Sequence, residues 1–217
     1  MLEIVSSVLE SYNNAHPINR GNEFPIRTTL LRPLVEERGV VDKIYIYEAG
    51  VETTHIVTQV EKYQGEHSVY SGIQDIGNIY YAPNHSQCWQ RFGVCKEMFH
   101  CMIDRTQGSL VSDLDDLLKL FEMLVNDTTA LTGDFGPLDS EQRAELMALE
   151  TLYPVEYRQH FLERQDGDKG AIPEWGEEFY MEQAQQFRIP YEYAVLACQP
   201  SYVRACTRLR GRLLDLN

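Results

Sequence analysis

The sequence predicts an α+β fold, because strand-like segments are concentrated in residues 41–83 and helix-like segments lie on both sides of that block. Within the block, β-branched and aromatic residues recur between glycine-containing turns, as they do in short strands. Strands do not alternate with helices along the chain, so a parallel α/β sheet is not expected. We expect instead a small, mostly antiparallel sheet that packs against helices.

Two helices are predicted before the sheet. The first should end at the breaker "NNAHP", and the second lies in "FPIRTTLLRPLVEERGV", where Pro33 should kink or restart it and Gly39 should end it. Apolar residues at helical spacing define a buried face in each helix. These residues are Leu2, Val5, Val8 and Leu9 in the first helix, and Ile26, Leu30, Leu31, Leu34 and Val35 in the second.

Four strands and a long helix are predicted next. The helix should run from about Gln87 to Asp104, and its residues Lys96, His100 and Asp104 recur every four positions on one stripe. The predicted strands are "KIYIYEA", "THIVTQVEKY", "HSVYSGI" and "GNIYYAP".

Two further helices are predicted after the long one. The segment "VSDLDDLLKLFEMLV" is the first of them. The segment "SEQRAELMALETLYP" is the second, which Asp139 with Gln142 should start and Pro154 should end.

The C-terminal part reads as three short helices that are divided at Pro190 and Pro200. The linker-like segment "DGDKGAIPEWG" precedes them. We therefore predict a main domain in residues 1–165 and a helical extension in residues 166–217 that packs on it.

The composition limits the kinds of partner that the protein is expected to bind and the cellular compartment in which it is expected. The 217 residues include 33 acidic and 19 basic side chains, and the formal charge of −14 repels nucleic acids and anionic membranes. No apolar run reaches the roughly 18 to 20 residues of a membrane span, and the N-terminus lacks signal-peptide features. The five cysteines form no C-x-x-C pair. We expect a cytoplasmic protein with reduced thiols and neither membrane contact nor direct nucleic-acid binding.

The predicted long helix contains the segment "KEMFH". In H-E-x-x-H zinc proteases, two histidines one turn apart hold Zn²⁺, and the glutamate between them acts on the metal-bound water. Lys96, Glu97 and His100 stand at the corresponding positions, so two of the three residue types match.

The surroundings of this motif resemble the ImmA/IrrE family of zinc-dependent endopeptidases over roughly residues 20–160. The similar features are Arg91-Phe92 ahead of the motif, "ETLYP" at the end of a later helix, and a proline-initiated helix before the sheet. The resemblance implies a zincin-like fold. Family members act on or with helix-turn-helix repressors in phage, mobile-element and stress regulation, so the resemblance also implies a regulatory protein partner.

Carried over by this resemblance, Glu97 is the general base and His100 the second zinc ligand. The third ligand is ambiguous, because Glu141 and Glu145 both lie near the expected place. Lys96 replaces the first ligand, and its ammonium has no lone pair to donate and repels a divalent cation. We expect no cofactor, or zinc if the site is functional. Lys96 is instead expected to fill the metal position with its own charge. Its partner can lie near Glu97, on the Asp104 side of the helix through His100, or at Glu141 or Glu145 on the facing helix.

Three functions remain open on the sequence alone. The first is a non-catalytic ImmA/IrrE-like pseudoenzyme that binds a regulatory protein partner, such as a helix-turn-helix regulator. The second is an active metallo-endopeptidase with an altered ligand set and Glu97 as general base. The third is a structural protein without a site, in which His100 is an ordinary core histidine.

Overall fold

The protein's computed structural model describes residues 2–15, 28–39, 41–50, 57–66, 72–103, 136–158, 176–204 and 206–207. The helices are α1 (Leu2–Ala15), α2 (Thr28–Arg38), α3 (Gln87–Ile103), α4 (Gly136–Leu152), α5 (Glu177–Phe187) and α6 (Tyr191–Ala197), and the strands are β1 (Lys43–Glu48), β2 (Thr58–Glu66) and β3 (Ile73–Tyr81). The predicted α+β class is confirmed. Among the described helices, none is long and apolar enough to cross a membrane.

The three strands form a sheet in the order β1-β3-β2. β2 and β3 pair antiparallel, whereas β1 runs parallel to β3. The expectation of a mostly antiparallel sheet is therefore wrong for one of the two pairings. The alternation of side chains indicates which residues face the core, but it is the same for both strand directions, so the sequence pattern could not distinguish them.

Two predicted element boundaries also need correction. β3 begins at Ile73, earlier than the predicted Gly77. α4 begins at Gly136, so Asp139 lies within the helix and is not its cap. Pro137 stands in the first turn of α4, where a proline is favoured because its missing N–H would have no helical partner. That signal indicates the true start better than the Asp-x-x-Gln pattern does.

The second helix passes through its proline without restarting. α2 is one helix with Pro33 inside it, and the Pro33 side chain is exposed. At a solvent-facing position, the carbonyl that loses its N–H partner can bind water instead. Helix ends at the other prolines agree with prediction, since α4 ends before Pro154 and the C-terminal helices divide at Pro190 and Pro200.

Some predictions fall on parts of the chain outside the described residues. They concern Ile26, most of "HSVYSGI", the first three residues of the strand "THIVTQVEKY", Asp104, the helix "VSDLDDLLKLFEMLV" and the boundary between residues 165 and 166.

Helix α3 packs across one face of the sheet and contributes to the main core. Two glycines permit a close approach between the layers. A Cβ on Gly77 would lie 2.9 Å from Cys101 Sγ, which is too close for a real contact. A Cβ on Gly93 would lie 2.5 Å from the Thr58 side chain. Glycine at position 93 therefore lets β2 approach α3 one helical turn away from Glu97.

The C-terminal helices α5 and α6 pack on the same core as α3 and α4. Arg158 is completely buried, and its guanidinium pairs with Glu150 of α4 and donates to the Ala197 carbonyl of α6, at 2.8 Å. Arg91 of α3 donates to the Phe187 carbonyl at the end of α5, at 2.7 Å. These contacts hold α5 and α6 against the helices that carry the candidate site.

Candidate functional site

The residues of the sequence motif lie in the interface between α3 and α4. Lys96, Glu97 and His100 are on α3, and Glu141 and Glu145 are on α4. Because positions three or four apart share one face of a helix, each helix presents its polar side chains as a short row. Packing of α3 on α4 brings the two rows together. We call these five residues the Lys96 cluster.

Lys96 lies at the centre of this cluster. Its Nζ donates to Glu141 Oε2 at 2.7 Å and lies 3.2 Å from Glu97 Oε1. Of the partners that the sequence leaves open for Lys96, Glu97 and Glu141 are in contact with it. Burial alone would lower the pKa of Lys96, but the charges of Glu97 and Glu141 outweigh burial and hold that pKa above its ordinary value. Lys96 therefore remains an ammonium at neutral pH.

His100 is 1% exposed and has both ring nitrogens near side chains of α4. Its Nε2 lies 3.2 Å from Glu141 Oε1, and its Nδ1 lies 3.2 Å from Ser140 Oγ. The His100 carbonyl also accepts a hydrogen bond from Lys62 of β2, at 2.7 Å. Glu141 consequently bridges the two α3 residues, with one carboxylate oxygen towards Lys96 and the other towards His100.

Glu97 is buried between the lysine and the sheet. Its Oε1 accepts a hydrogen bond from Thr58 Oγ1 of β2, at 3.1 Å, in addition to its contact with Lys96. The close approach at Gly93 places Thr58 within this distance. The carboxylate that the resemblance assigns as general base is thus engaged by a cation and a hydroxyl donor.

Glu145 belongs to a neighbouring contact rather than to the centre of the cluster. Its Oε1 accepts a hydrogen bond from the Tyr193 hydroxyl of α6 at 2.9 Å, and burial raises the pKa of Glu145. The Tyr193 ring stacks on Phe92 of α3, with ring centroids 3.9 Å apart. Of the two glutamates left open by the sequence, Glu141 contacts both Lys96 and His100. Arg143, between them in sequence, is exposed.

Four partners of the cluster are not predicted from the sequence. They are Thr58 and Lys62 on β2, Ser140 on α4 and Tyr193 on α6. Thr58 and Tyr193 are distant in sequence from the motif, and no local pattern links them to it. Ser140 could have been suspected, because it directly precedes Glu141.

The residues present do not fit a catalytic zinc ion. Such a site normally has three protein ligands and an open position for water. Here an ammonium stands where the first ligand would be, and it is paired with the carboxylate of Glu141. Within the described ranges, no group of three or more His, Cys, Asp or Glu residues is arranged to hold a metal ion.

Acid is expected to remove the stabilisation that ionised Glu141 provides. Burial alone would raise the pKa of Glu141, but its contacts with His100 and Lys96 lower that pKa from 4.5 to about 2. A carboxyl group whose pKa is lower in the folded state than in the unfolded state stabilises the fold at pH values above its unfolded pKa. For Glu141 this stabilisation is lost as the pH falls from 4.5 towards 2. We expect wild type to exceed Glu141→Gln in free energy of unfolding by about 2 to 3 kcal/mol at neutral pH.

Urea unfolding of wild type and Glu141→Gln at a series of pH values measures this difference. The difference should shrink steadily below pH 4.5 and nearly vanish at about 2. A difference that stays constant over this range would show that Glu141 does not titrate as the geometry requires.

Comparison of the chain with known protein families, characterised proteins and solved structures gave no match. Function is therefore inferred from the sequence motif and from the side chains of the site.

Proposed function

We propose that this chain is a non-catalytic protein with a zincin-like, ImmA/IrrE-like fold, in which the Lys96 ammonium takes the position of the zinc ion. Its role is to bind a regulatory protein partner rather than to cleave it. The observation that carries the proposal is the double contact of Lys96, with Glu141 at 2.7 Å and with Glu97 at 3.2 Å.

Electrostatics supports an ammonium in place of a metal. Two carboxylates contact the Lys96 ammonium, whose pKa is raised, and the imidazole of His100 contacts the other oxygen of Glu141. A dication entering this space would meet a like charge at contact distance. Glu97 is also poorly placed as a general base, because its carboxylate is already in contact with the Lys96 ammonium and accepts a hydrogen bond from the Thr58 hydroxyl.

The burial of Glu97 and the partial burial of Lys96 and Glu141 favour an inherited site over a purely structural role. Buried ion pairs stabilise a fold less than apolar side chains of similar volume often do, because desolvation offsets much of the attraction. A core under selection for stability alone has little need of Lys96, Glu97 and Glu141 together. The regulatory partner is implied by the family resemblance, and the net charge of −14 suits a basic one.

Metal content tests the proposal directly. Gently purified wild type is expected to contain no stoichiometric zinc by elemental analysis, because Lys96 repels the ion. Lys96→His removes that charge and restores two histidines one turn apart beside Glu141, so this variant is expected to bind one zinc ion and to unfold at a higher temperature with zinc than without it.

Lys43→His is the matched control, since it makes the same substitution at an exposed site on β1. It should bind no stoichiometric zinc. Stoichiometric zinc in untreated wild type would overturn the proposal in favour of the metallopeptidase with altered ligands. Failure of Lys96→His to bind zinc would remove the support for a zincin-like site.

A further inference from the structure

The face of the sheet opposite to α3 carries a group of tyrosines with one acidic and one amide side chain. Residues paired across neighbouring strands share a face, so the register places Tyr45 and Tyr47 of β1, Asn78 and Tyr80 of β3, and Glu61 of β2 on this same face. We call these five residues the tyrosine face. They lie away from the Lys96 cluster, which is on the α3 side.

The rings of the tyrosine face form a stacked row. The Tyr45 and Tyr47 centroids are 6.2 Å apart, and the Tyr47 and Tyr80 centroids are 5.7 Å apart, with interplanar angles of 25° and 28°. Tyr47 is 44% exposed. An exposed aromatic row offers negative ring faces, which attract ammonium and guanidinium groups.

A carboxylate lies next to this row and is connected to it by hydrogen bonds. Asn78 Nδ2 donates to the Tyr80 hydroxyl at 3.3 Å, and that hydroxyl donates to Glu61 Oε2 at 3.3 Å. This direction uses the only hydroxyl hydrogen of Tyr80 for Glu61, so the amide nitrogen, and not the amide oxygen, must face Tyr80. Glu61 is exposed and keeps acceptor capacity for a further donor.

Asn78 is the buried member of the tyrosine face. It is 9% exposed, and its Nδ2 donates to the Tyr80 hydroxyl, which in turn donates to Glu61. Its Oδ1 has no hydrogen-bond partner in the described structure, but this atom is buried and is not open to a ligand on the surface. The groups that a surface ligand meets are the exposed carboxylate of Glu61 and the aromatic rings, and such groups bind a guanidinium.

We infer that the tyrosine face binds an arginine-bearing basic segment of a partner protein. The guanidinium stacks on Tyr47 or Tyr80 and donates to Glu61, an arrangement that suits a planar group with five donors better than a compact ammonium. The existence of a protein partner rests on the proposed function, but the chemistry of this face does not.

Charge on the rest of the chain agrees with such a ligand. The formal charge of −14 attracts a basic segment at long range. Lys43 lies at the end of the same face, and its Nζ is 3.7 Å from Glu36 of α2, which offsets its charge. Glu36 therefore reduces the repulsion between Lys43 and a cation that binds to this face.

Binding of a short, end-blocked arginine–glycine peptide to the full chain tests the inference. Fluorescence anisotropy of the labelled peptide is measured at physiological ionic strength, where distant charges are screened. We expect saturable binding to wild type, and affinity roughly tenfold weaker for Glu61→Gln and for Tyr47→Leu, because each loses a charge-assisted contact or a ring face. A peptide with citrulline in place of arginine should bind far more weakly.

Glu182→Gln is the matched control, because it removes the same charge from an exposed position on α5. It should leave the affinity unchanged. Three results overturn the inference: no binding to wild type, equal binding of the citrulline peptide, or equal weakening by Glu182→Gln and Glu61→Gln. None of these measurements involves the Lys96 cluster, so the zinc experiment decides the proposed function separately.

Discussion

Arg158→Met is expected to lower the free energy of unfolding by about 3 to 5 kcal/mol. Arg158 and Glu150 are both fully buried and form an ion pair. Methionine fills much of the same space, but it leaves the Glu150 carboxylate buried without its cation. It also removes the hydrogen bond to the Ala197 carbonyl, and thereby a link between α4 and α6. Chemical denaturation followed by circular dichroism measures the loss.

Two further variants identify the cause of that loss. Arg32→Met is the control, because Arg32 is about half exposed and lies 3.9 Å from Glu36, and it should cost less than about 1 kcal/mol. The double variant Arg158→Met/Glu150→Met removes both charges and should regain much of the stability, since an apolar pair can replace a buried ion pair. If the double variant is less stable than Arg158→Met, an unpaired charge is not the cause.

Lys96→Met is expected to lower the free energy of unfolding by about 3 kcal/mol at neutral pH. Without the ammonium, the buried carboxylate of Glu97 and the partly buried carboxylate of Glu141 lose the cation that they share, and their repulsion is no longer compensated. Acid should reduce the loss, because the lowered pKa of Glu141 depends in part on Lys96, and Glu141 takes a proton more readily once the ammonium is removed. Denaturation at neutral pH and at mildly acidic pH measures both effects.

Lys43→Met serves as the matched control for this variant. Lys43 also lies near a glutamate, at 3.7 Å from Glu36, but its side chain is 43% exposed, so the expected loss is below about 1 kcal/mol. If Lys96→Met costs no more than Lys43→Met, the Lys96 cluster does not hold two carboxylates against their repulsion. The electrostatic basis of the proposed function would then be wrong.

Part of the candidate site could be predicted because it depends only on the geometry of one helix. Lys96, Glu97 and His100 stand within five positions of each other, and helical periodicity places Lys96 and His100 on one face whatever surrounds them. Helical periodicity did not predict which of Glu141 and Glu145 contacts Lys96. These two residues are also one turn apart, so both lie on the same face of α4 and periodicity cannot separate them.

The packing between elements determines which of the two glutamates contacts Lys96. Glu141 meets Lys96 and His100 because of the position at which α4 crosses α3, and Glu145 meets Tyr193 because α6 packs beside them. Thr58 reaches Glu97 because Gly93 lets β2 lie close to α3. The tyrosine face likewise depends on the register of three strands, and the parallel direction of β1 contributes to it.

Residue patterns were sufficient to predict the α+β class, most helix and strand positions, and an ammonium where a zinc protease has its first histidine. These features follow from local periodicity and residue chemistry, which act within a few residues of each other. The strand directions, the partners of Lys96, the buried pair of Arg158 and the unpaired oxygen of Asn78 became known from the fold alone. Each of these depends on how distant elements pack together, which local patterns do not encode.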